Sequence, residues 1–326
     1  MSRLRITVAA LSLALSAMAH QAYAGAGAED KDVARMISLG GACVGCELSG
    51  RKMTGARFTG ANYAKANLIG ADLRGASFFG SNFVAADLSR ADLRGAEMRG
   101  ANFVGAHFAD ARLSGIESSG ANFQGADMPR VDLSSSELHG ANLIGANLEK
   151  ANLSNSELNG ANLQGVNARG ANFSSSELNG SNMAGGNFER AVFRNAEFSN
   201  ANLRGAIFNG ADFKGADLSG ANIGSVDLSN ARGLDQDQLD EACGDGGTRL
   251  PAGLSVRNCS GKTRIRISAD FNRARIEAEA QARVEARQAE IEARAEARMA
   301  ALPQPPKPPR PAKPAAPAKP AKPPNF

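Results

Sequence analysis

Tryptophan is absent from this sequence and histidine is scarce, with three His in 326 residues. One of them, His20, lies in an apolar N-terminal segment, and neither His107 nor His139 has a matched Ser or Cys nucleophile in the sequence. A membrane-spanning helix needs about 20 apolar residues, and the apolar run at 6–19 is shorter than that. These absences predict a protein without catalytic residues, without a cofactor and without a membrane-spanning helix.

The first 24 residues have the pattern of a secretory signal peptide. Arg3 and Arg5 form the charged start, 6–19 is the apolar run, and Ala22-Tyr23-Ala24 is an A-x-A cleavage site. Cleavage after Ala24 predicts a periplasmic or secreted protein. The alternative is an uncleaved N-terminal anchor.

A period of five residues organises the chain from 43 to 233. A large apolar residue returns at every fifth position, as at Leu73 and Phe78, and a small residue, usually Ala, stands two positions before it. The clearest gaps in this series are Ser118 and Ala168. A period of five fits neither an amphipathic helix nor a flat strand, so the sequence predicts a solenoid with a thin core, each coil covering the next.

Acidic residues recur at a spacing of twenty, which predicts a coil of four quintets and a vertical stripe along one face. Neighbouring carboxylates at the strand spacing of about 4.8 Å repel each other by roughly 0.9 kcal/mol in bulk water. The stripe is either a solvated surface or a docking strip for a cationic group: Ca²⁺, a basic partner or the tail of this chain. We call it the acidic ladder; its members are Glu97, Glu117, Glu137, Glu157, Glu177, Glu197 and Asp217.

Calcium is the metal that this ladder would suit, because hard cations prefer oxygen ligands. A flat ladder offers few ligands to each ion, so the sequence predicts at most weak Ca²⁺ binding at Glu137, Glu157 and Glu177 and no dedicated metal site.

Asparagine forms a second series with the same spacing. Stacked amides can donate to one neighbour and accept from the other, so we expect a structural role. We call this series the Asn ladder; its members are Asn62, Asn82, Asn102, Asn122, Asn142, Asn162, Asn182, Asn202 and Asn222.

The repeated motif A-[DN]-L-x-G, as at 71–75 and 141–145, resembles the pentapeptide-repeat family. The resemblance covers more than half of the chain. It implies an all-β solenoid, the right-handed quadrilateral β-helix of that family, with four quintets in each coil.

One activity of that family is DNA mimicry, in which an acidic rod occupies the DNA site of a topoisomerase. A mimic of a polyanion needs a strongly negative field, whereas Glu47–Arg232 carries 17 Lys and Arg against 18 Asp and Glu. The near-neutral charge and the signal peptide both disfavour this alternative, and we expect no nucleic-acid partner.

Cys43 and Cys46 form a C-x-x-C motif at the start of the repeats. A redox motif needs an exposed thiolate at a helix N-terminus, and zinc needs further ligands; neither is expected here. Both Cys occupy inward positions of the first coil, so we expect a structural role, as a disulfide or a small apolar cap, and we expect residues 25–42 to be an N-terminal cap. Many pentapeptide-repeat proteins begin with a similar motif.

Residues 234–260 are expected to close the other end. Asp235 and Gln238 have the spacing of a helix-capping box, which predicts a short helix to about Cys243 that covers the last coil. The segment after it resembles the end of many pentapeptide-repeat chains, and that resemblance favours a disulfide between Cys243 and Cys259. Four Cys allow three pairings, and the sequence alone does not choose among them.

The remaining residues change in composition twice. The segment 261–302 is rich in Ala, Glu and Arg, which are strong helix formers. We expect a long α-helix that is either a lone spacer or an Ala-rich coiled coil that joins two copies.

The segment 303–326 is rich in Pro, Ala and Lys, and we expect a disordered tail that contacts an anionic cell-wall polymer, lipid headgroups or a proline-binding protein. Its basic residues are Lys307, Arg310, Lys313, Lys319 and Lys322.

The sequence thus predicts an exported, non-catalytic scaffold or binding rod in the cell envelope. It would act through the acidic ladder, the basic tail or both. The partner is an unidentified protein or an anionic envelope polymer. The competing functions are a topoisomerase-binding DNA mimic and a C-x-x-C redox protein.

Overall fold

The computed structural model describes residues 42–260 and the backbone of 264–265, all within the first of two compact units, Met1–Ala269. The predicted signal peptide at 1–24, nearly all of the predicted cap at 25–42 and the predicted disordered tail at 303–326 lie outside the described residues. So does the segment 261–302, apart from Arg264 and Ile265. Those two residues form a strand, so the predicted helix does not begin at 261.

The repeat region is a β-helix solenoid with twenty residues in each coil. Parallel bridges join each residue before the large apolar position to the residue twenty positions later, as in Asp72↔Asp92, and four such columns run along the stack. Two strand bonds hold each step: the Leu73 N–H donates to the Asp92 carbonyl at 2.7 Å, and the Asp92 N–H donates to the Ala71 carbonyl at 2.9 Å. The predicted coil of four quintets is therefore confirmed.

Each quintet ends in a tight turn. The Ala76 N–H donates to the Leu73 carbonyl at 3.0 Å, and Gly75 between them has φ +62°. A positive φ at the third residue of a turn favours Gly. In other quintets, thirteen non-glycine residues occupy the corresponding position with a positive φ, including Ala85 at +54°. Since left-handed backbone costs an L-residue roughly 1–2 kcal/mol, these turns hold strain that a Gly would relieve.

The core is the inner surface of the coil, built from the large apolar residues and the small residues two positions before them. Aromatic rings stack between coils; the Phe103 and Phe123 rings are nearly parallel with centroids 5.2 Å apart. The gap at Ser118 has a compensating Ile at 116, and both side chains are buried. Ala168 is likewise preceded by Val166. The large and small residues have exchanged positions, so the core volume of these quintets is retained.

The two ends are closed by disulfides. Cys43 and Cys46 are bonded and pack partly buried against the core of the first coil. At the other end a disulfide joins Cys243 to Cys259, with the Cα atoms 4.8 Å apart. Among the four Cys, this is the pairing that the family resemblance favoured.

Helix α1, Gln236–Leu239, covers the last coil. The capping box is present: the Asp235 side chain accepts from the Gln238 N–H, and the Gln238 side chain accepts from the Asp235 N–H. The Gln238 amide also donates to the carbonyls of Phe213 and Ala216, at 2.8 and 2.7 Å. The Ala216 carbonyl would otherwise lack the donor that a further coil supplies, as the Asp92 N–H does for Ala71.

The expectation that this helix extends to about Cys243 is wrong. Strand β1, Cys243–Gly244, starts there because Cys243 pairs with Asn222 and extends a column of the solenoid. β1 pairs in parallel with β2, Val256–Asn258, and β2 pairs antiparallel with β3, Arg264–Ile265. Among the described residues, no helix is long and apolar enough to span a membrane.

Candidate functional site: the acidic ladder

The acidic ladder lies on one face of the solenoid, on seven consecutive coils. Parallel bridges connect its members in order from Glu97 to Asp217. Each acidic residue precedes a buried residue, so its own side chain points outward from the strand. All seven side chains are exposed or half-buried.

Most members of the ladder have a hydrogen-bond or ion-pair partner from the preceding coil. The partner stands eighteen residues earlier and comes from the first turn position after the strand. For example, the His139 Nε2 lies 2.7 Å from Glu157 Oε2, and the Asn159 amide donates to Glu177 at 2.8 Å. The remaining pairs are Arg99 with Glu117, Asn179 with Glu197 and Ser199 with Asp217.

The sequence predicted a row of mutually repelling carboxylates, and the structure adds hydrogen-bond donors to it, of which Arg99 forms an ion pair with Glu117. Sequence reasoning followed the column of acids alone and missed the column two residues further on. The sequence contained the information needed to find them. A residue two positions after one acidic residue of the ladder stands eighteen positions before the next one, so it lies beside that residue in the stack. Glu97 and Glu137 have no side-chain partner among the described residues, so the ladder retains uncompensated charge.

At the end of the ladder, Asp217 is held in its ionised form. Its pKa is lowered by hydrogen bonds from the side chain and backbone N–H of Ser219. The Ser199 hydroxyl also donates to this carboxylate at 3.2 Å. This rung therefore keeps its charge in mildly acidic solution.

Charge is segregated between the faces of the solenoid although the total is near neutral. The quintets of the ladder face, from 56–60 to 216–220, carry seven acidic residues against Arg57 and Arg99. The quintets of the preceding face, from 51–55 to 211–215, carry seven Lys and Arg against four Asp. The near-neutral total charge, which argued against DNA mimicry, therefore describes the repeat region as a whole but not the face that carries the acidic ladder.

Metal binding has no structural support among residues 42–260. No three side chains of His, Cys, Asp or Glu converge there in a geometry that could hold a metal ion, and this includes Glu137, Glu157 and Glu177. The rungs lie side by side along the face, so they do not surround a common centre.

The Asn ladder lies on a second face and is hydrogen-bonded along the stack. The Asn82 amide donates to Asn62 Oδ1 at 3.0 Å, and Asn142 donates to Asn122 at 3.1 Å. The same oxygens accept from the backbone two residues on, as in Ala64 N–H to Asn62 at 3.2 Å. These amides connect neighbouring coils and stabilise the turns.

The other candidate residues lie at the two ends of the solenoid or outside the described residues. All four Cys are bonded in the two disulfides that close the solenoid. The basic tail residues, from Lys307 to Lys322, lie outside the described residues. His107 lies in a bridge column between Asp87 and Asp127, whereas His139 lies in the turn that follows Leu138.

Comparison with known proteins agrees with this architecture. The family model for pentapeptide repeats (8 copies) matches residues 43–80, 81–116, 119–155, 156–195 and 196–232. No curated protein matches the chain. HetL, a pentapeptide repeat protein involved in heterocyst differentiation regulation from the cyanobacterium Nostoc sp. strain PCC 7120, is a similar solved structure, with 30% identity over 59% of this chain and 86% of HetL, and a TM-score of 0.36.

Two further solved structures are similar. QnrB1, a plasmid-mediated fluoroquinolone resistance protein, is 23% identical over 65% of this chain and 92% of its own, with a TM-score of 0.35. A pentapeptide repeat protein from the thylakoid lumen of Arabidopsis thaliana is 34% identical over 31% of this chain and 73% of its own, with a TM-score of 0.20. The family model covers more than half of the chain, so this protein belongs to the pentapeptide-repeat family and its repeat region is a right-handed β-helix solenoid.

Proposed function

We propose that this protein is an exported, non-catalytic scaffold that presents its acidic ladder to a cationic partner in the cell envelope. The observation that carries the proposal is the segregation of seven acidic residues onto one face, in register on consecutive coils. A near-neutral solenoid with randomly placed charges would not produce such a face.

The physical basis is the summation of weak contacts. Each exposed ion pair contributes about 0.2–1 kcal/mol, so one rung binds nothing by itself. A partner with several cationic groups along an extended segment would contact several rungs at once. Surface charges are screened beyond about 10 Å at 0.1 M salt, so the affinity should fall as the salt concentration rises.

Export is supported by the charged start, apolar run and A-x-A site of residues 1–24. It is also supported by the two disulfides, because disulfides persist in oxidising compartments. The basic tail at 303–326 supplies a second contact, which we assign to an anionic polymer of the envelope or to lipid headgroups.

The test is crosslinking followed by mass spectrometry on the envelope fraction, with the full chain and a chain cut after Ser260. A partner crosslinked near the acidic ladder in both proteins is the expected result. Partners lost with the tail would make the tail the binding element and would contradict a recognition role for the ladder. Intact residues 1–24 on a cytoplasmic protein would contradict export.

A second candidate, DNA mimicry, gains from the same observation. A continuous acidic face is the feature that a protein with a DNA-binding groove would recognise. The experiment above separates the two functions. Crosslinks from the ladder to a DNA-binding protein, in a cytoplasmic fraction that contains the unprocessed chain, would favour the mimic.

A further inference from the structure

A shallow, open cleft with a volume of about 440 Å³ lies away from the acidic ladder. Its charged lining consists of three arginines, Arg94, Arg112 and Arg130, and two aspartates, Asp110 and Asp132. The three arginines are spaced eighteen residues apart. Because one coil has twenty residues, each arginine lies one coil beyond the preceding arginine and two positions short of the residue directly above it. The three therefore form a diagonal row across the solenoid surface.

Two of the three guanidinium groups are fixed by carboxylates. Arg130 pairs with Asp110 through Nε and Nη2, at 2.6 and 2.7 Å. Arg94 pairs in the same way with Asp92, at 2.8 and 2.7 Å. Each pair leaves N–H groups on the opposite edge of the guanidinium, because Arg has five N–H donors.

These pairs also lower the pKa of the carboxylates. The pKa of Asp110 is lowered by its hydrogen bonds with Arg130, and the pKa of Asp92 by its hydrogen bonds with Arg94. Both carboxylates therefore stay ionised throughout the neutral range.

Arg112, at the centre of the diagonal, is different. Its guanidinium has no ion pair or hydrogen bond among the described residues, although it lies in a column between Asp92 and Asp132. Asp92 is occupied by Arg94, and Asp132 Oδ1 accepts from the Ser134 hydroxyl and the Asn152 amide. Asp92 and one oxygen of Asp132 are thus occupied by other donors.

We propose that this cleft binds an oxyanion, a phosphate or a carboxylate, with Arg112 as the principal contact. The free N–H groups of Arg94 and Arg130 and the hydroxyl of Ser114, which also lines the cleft, complete the set of donors. Planar guanidinium groups match the geometry of these anions. The site is independent of the acidic ladder and of the function proposed for it. Because aspartates stand nearby, we expect a dissociation constant on the order of 1 mM at low salt.

The test is an NMR titration of the ¹⁵N-labelled full chain with inorganic phosphate. The Arg Nε–H signals are followed in the wild type, in Arg112→Gln and in Arg57→Gln. Arg57 is a matched control, since its exposed side chain lies on another face and has no partner among the described residues. A parallel titration with succinate, which has carboxylates and no phosphate, distinguishes a carboxylate from a phosphate ligand.

We expect saturable shifts in the wild type and in Arg57→Gln, and an affinity about tenfold lower in Arg112→Gln. Since the Arg112 guanidinium has no ion pair or hydrogen bond among the described residues, its variant should unfold at the same temperature as the wild type. The proposal is overturned if no anion produces a saturable shift, if Arg112→Gln binds as the wild type does, or if Arg57→Gln loses as much affinity.

Discussion

The exchanged pair Ile116 and Ser118 allows a direct test of how the solenoid core is packed. Both side chains are buried, and they occupy the small and the large position of one quintet in reverse. Truncation by Ile116→Ala should cost about 3 kcal/mol, within the 2–5 kcal/mol typical of such cavities. Enlargement by Ser118→Leu should cost about 1–3 kcal/mol, because Ile116 already fills the space.

The double substitution restores the usual order of the repeat, with Ala at 116 and Leu at 118. We expect its stability to lie within about 1 kcal/mol of the wild type, so the two changes should couple by several kcal/mol. Loss of the Ser118 hydroxyl, which donates to the Glu137 carbonyl at 3.0 Å, is tolerable because the Ser118 N–H donates to the same carbonyl.

The assay is urea unfolding followed by circular dichroism, with midpoint and slope reported for all four proteins. Val166 and Ala168 provide an independent second cycle, because they show the same exchange. Additive effects of the two single substitutions, in either pair, would refute the compensation argument.

Three other predictions follow from turns, packing and charge. Ala85→Gly should raise the free energy of unfolding by about 1 kcal/mol, because Ala85 has φ +54°. Gly105 lies at the same turn position one coil further on, and nothing lies near a Cβ added there. Gly105→Ala should therefore lower the free energy of unfolding by a similar amount through backbone strain alone. Gly186→Ala should cost about 1–3 kcal/mol in urea unfolding, because the Cβ would lie 2.6 Å from Phe188 Cε2. A hydrogen bond with Arg74 lowers the pKa of Asp72 from 3.8 to about 2. The ionised Asp72 therefore stabilises the fold fully above about pH 4, and this stabilisation is lost as the pH falls towards 2. When the free energy of unfolding is measured from pH 2 to 6, Asp72→Asn should reduce its change with pH by about 0.5 kcal/mol.

Each of these predictions has an outcome that contradicts it. Equal changes in thermal stability for Ala85→Gly and Gly105→Ala, in the same direction, would show that backbone strain does not dominate at this turn position. A neutral Gly186→Ala would mean that the Phe188 ring shifts freely. An Asp72→Asn variant with the acid profile of the wild type would show that this exposed pair contributes nothing.

The sequence predicted the solenoid because one period sets every step of it. Residues twenty apart, such as Glu137 and Glu157, are bridged as expected, since side-chain direction and hydrogen bonding repeat with the coil. The exchange at Ile116 and Ser118 was also visible as a gap in the period, but its compensation required knowing that both positions face inward.

Other features could not be predicted because they depend on contacts across the period. The helix ends at Leu239 because Cys243 is drawn into pairing with the solenoid, a tertiary contact that capping signals do not report. The donors to the acidic ladder and the arginine diagonal both depend on a spacing of eighteen. That spacing has no meaning in the chain until the coil length is known.

The claim that the acidic ladder is the recognition surface is tested most directly by a charge-matched comparison of partner crosslinking. One variant carries Glu→Gln at 137, 157 and 177, and the control carries Asp→Asn at 87, 127 and 227, on another face. Both remove three negative charges and keep side chains that accept hydrogen bonds. We expect the crosslinked partner to be lost from the ladder variant and retained by the control. Equal retention, or equal loss, would contradict a specific role for the ladder.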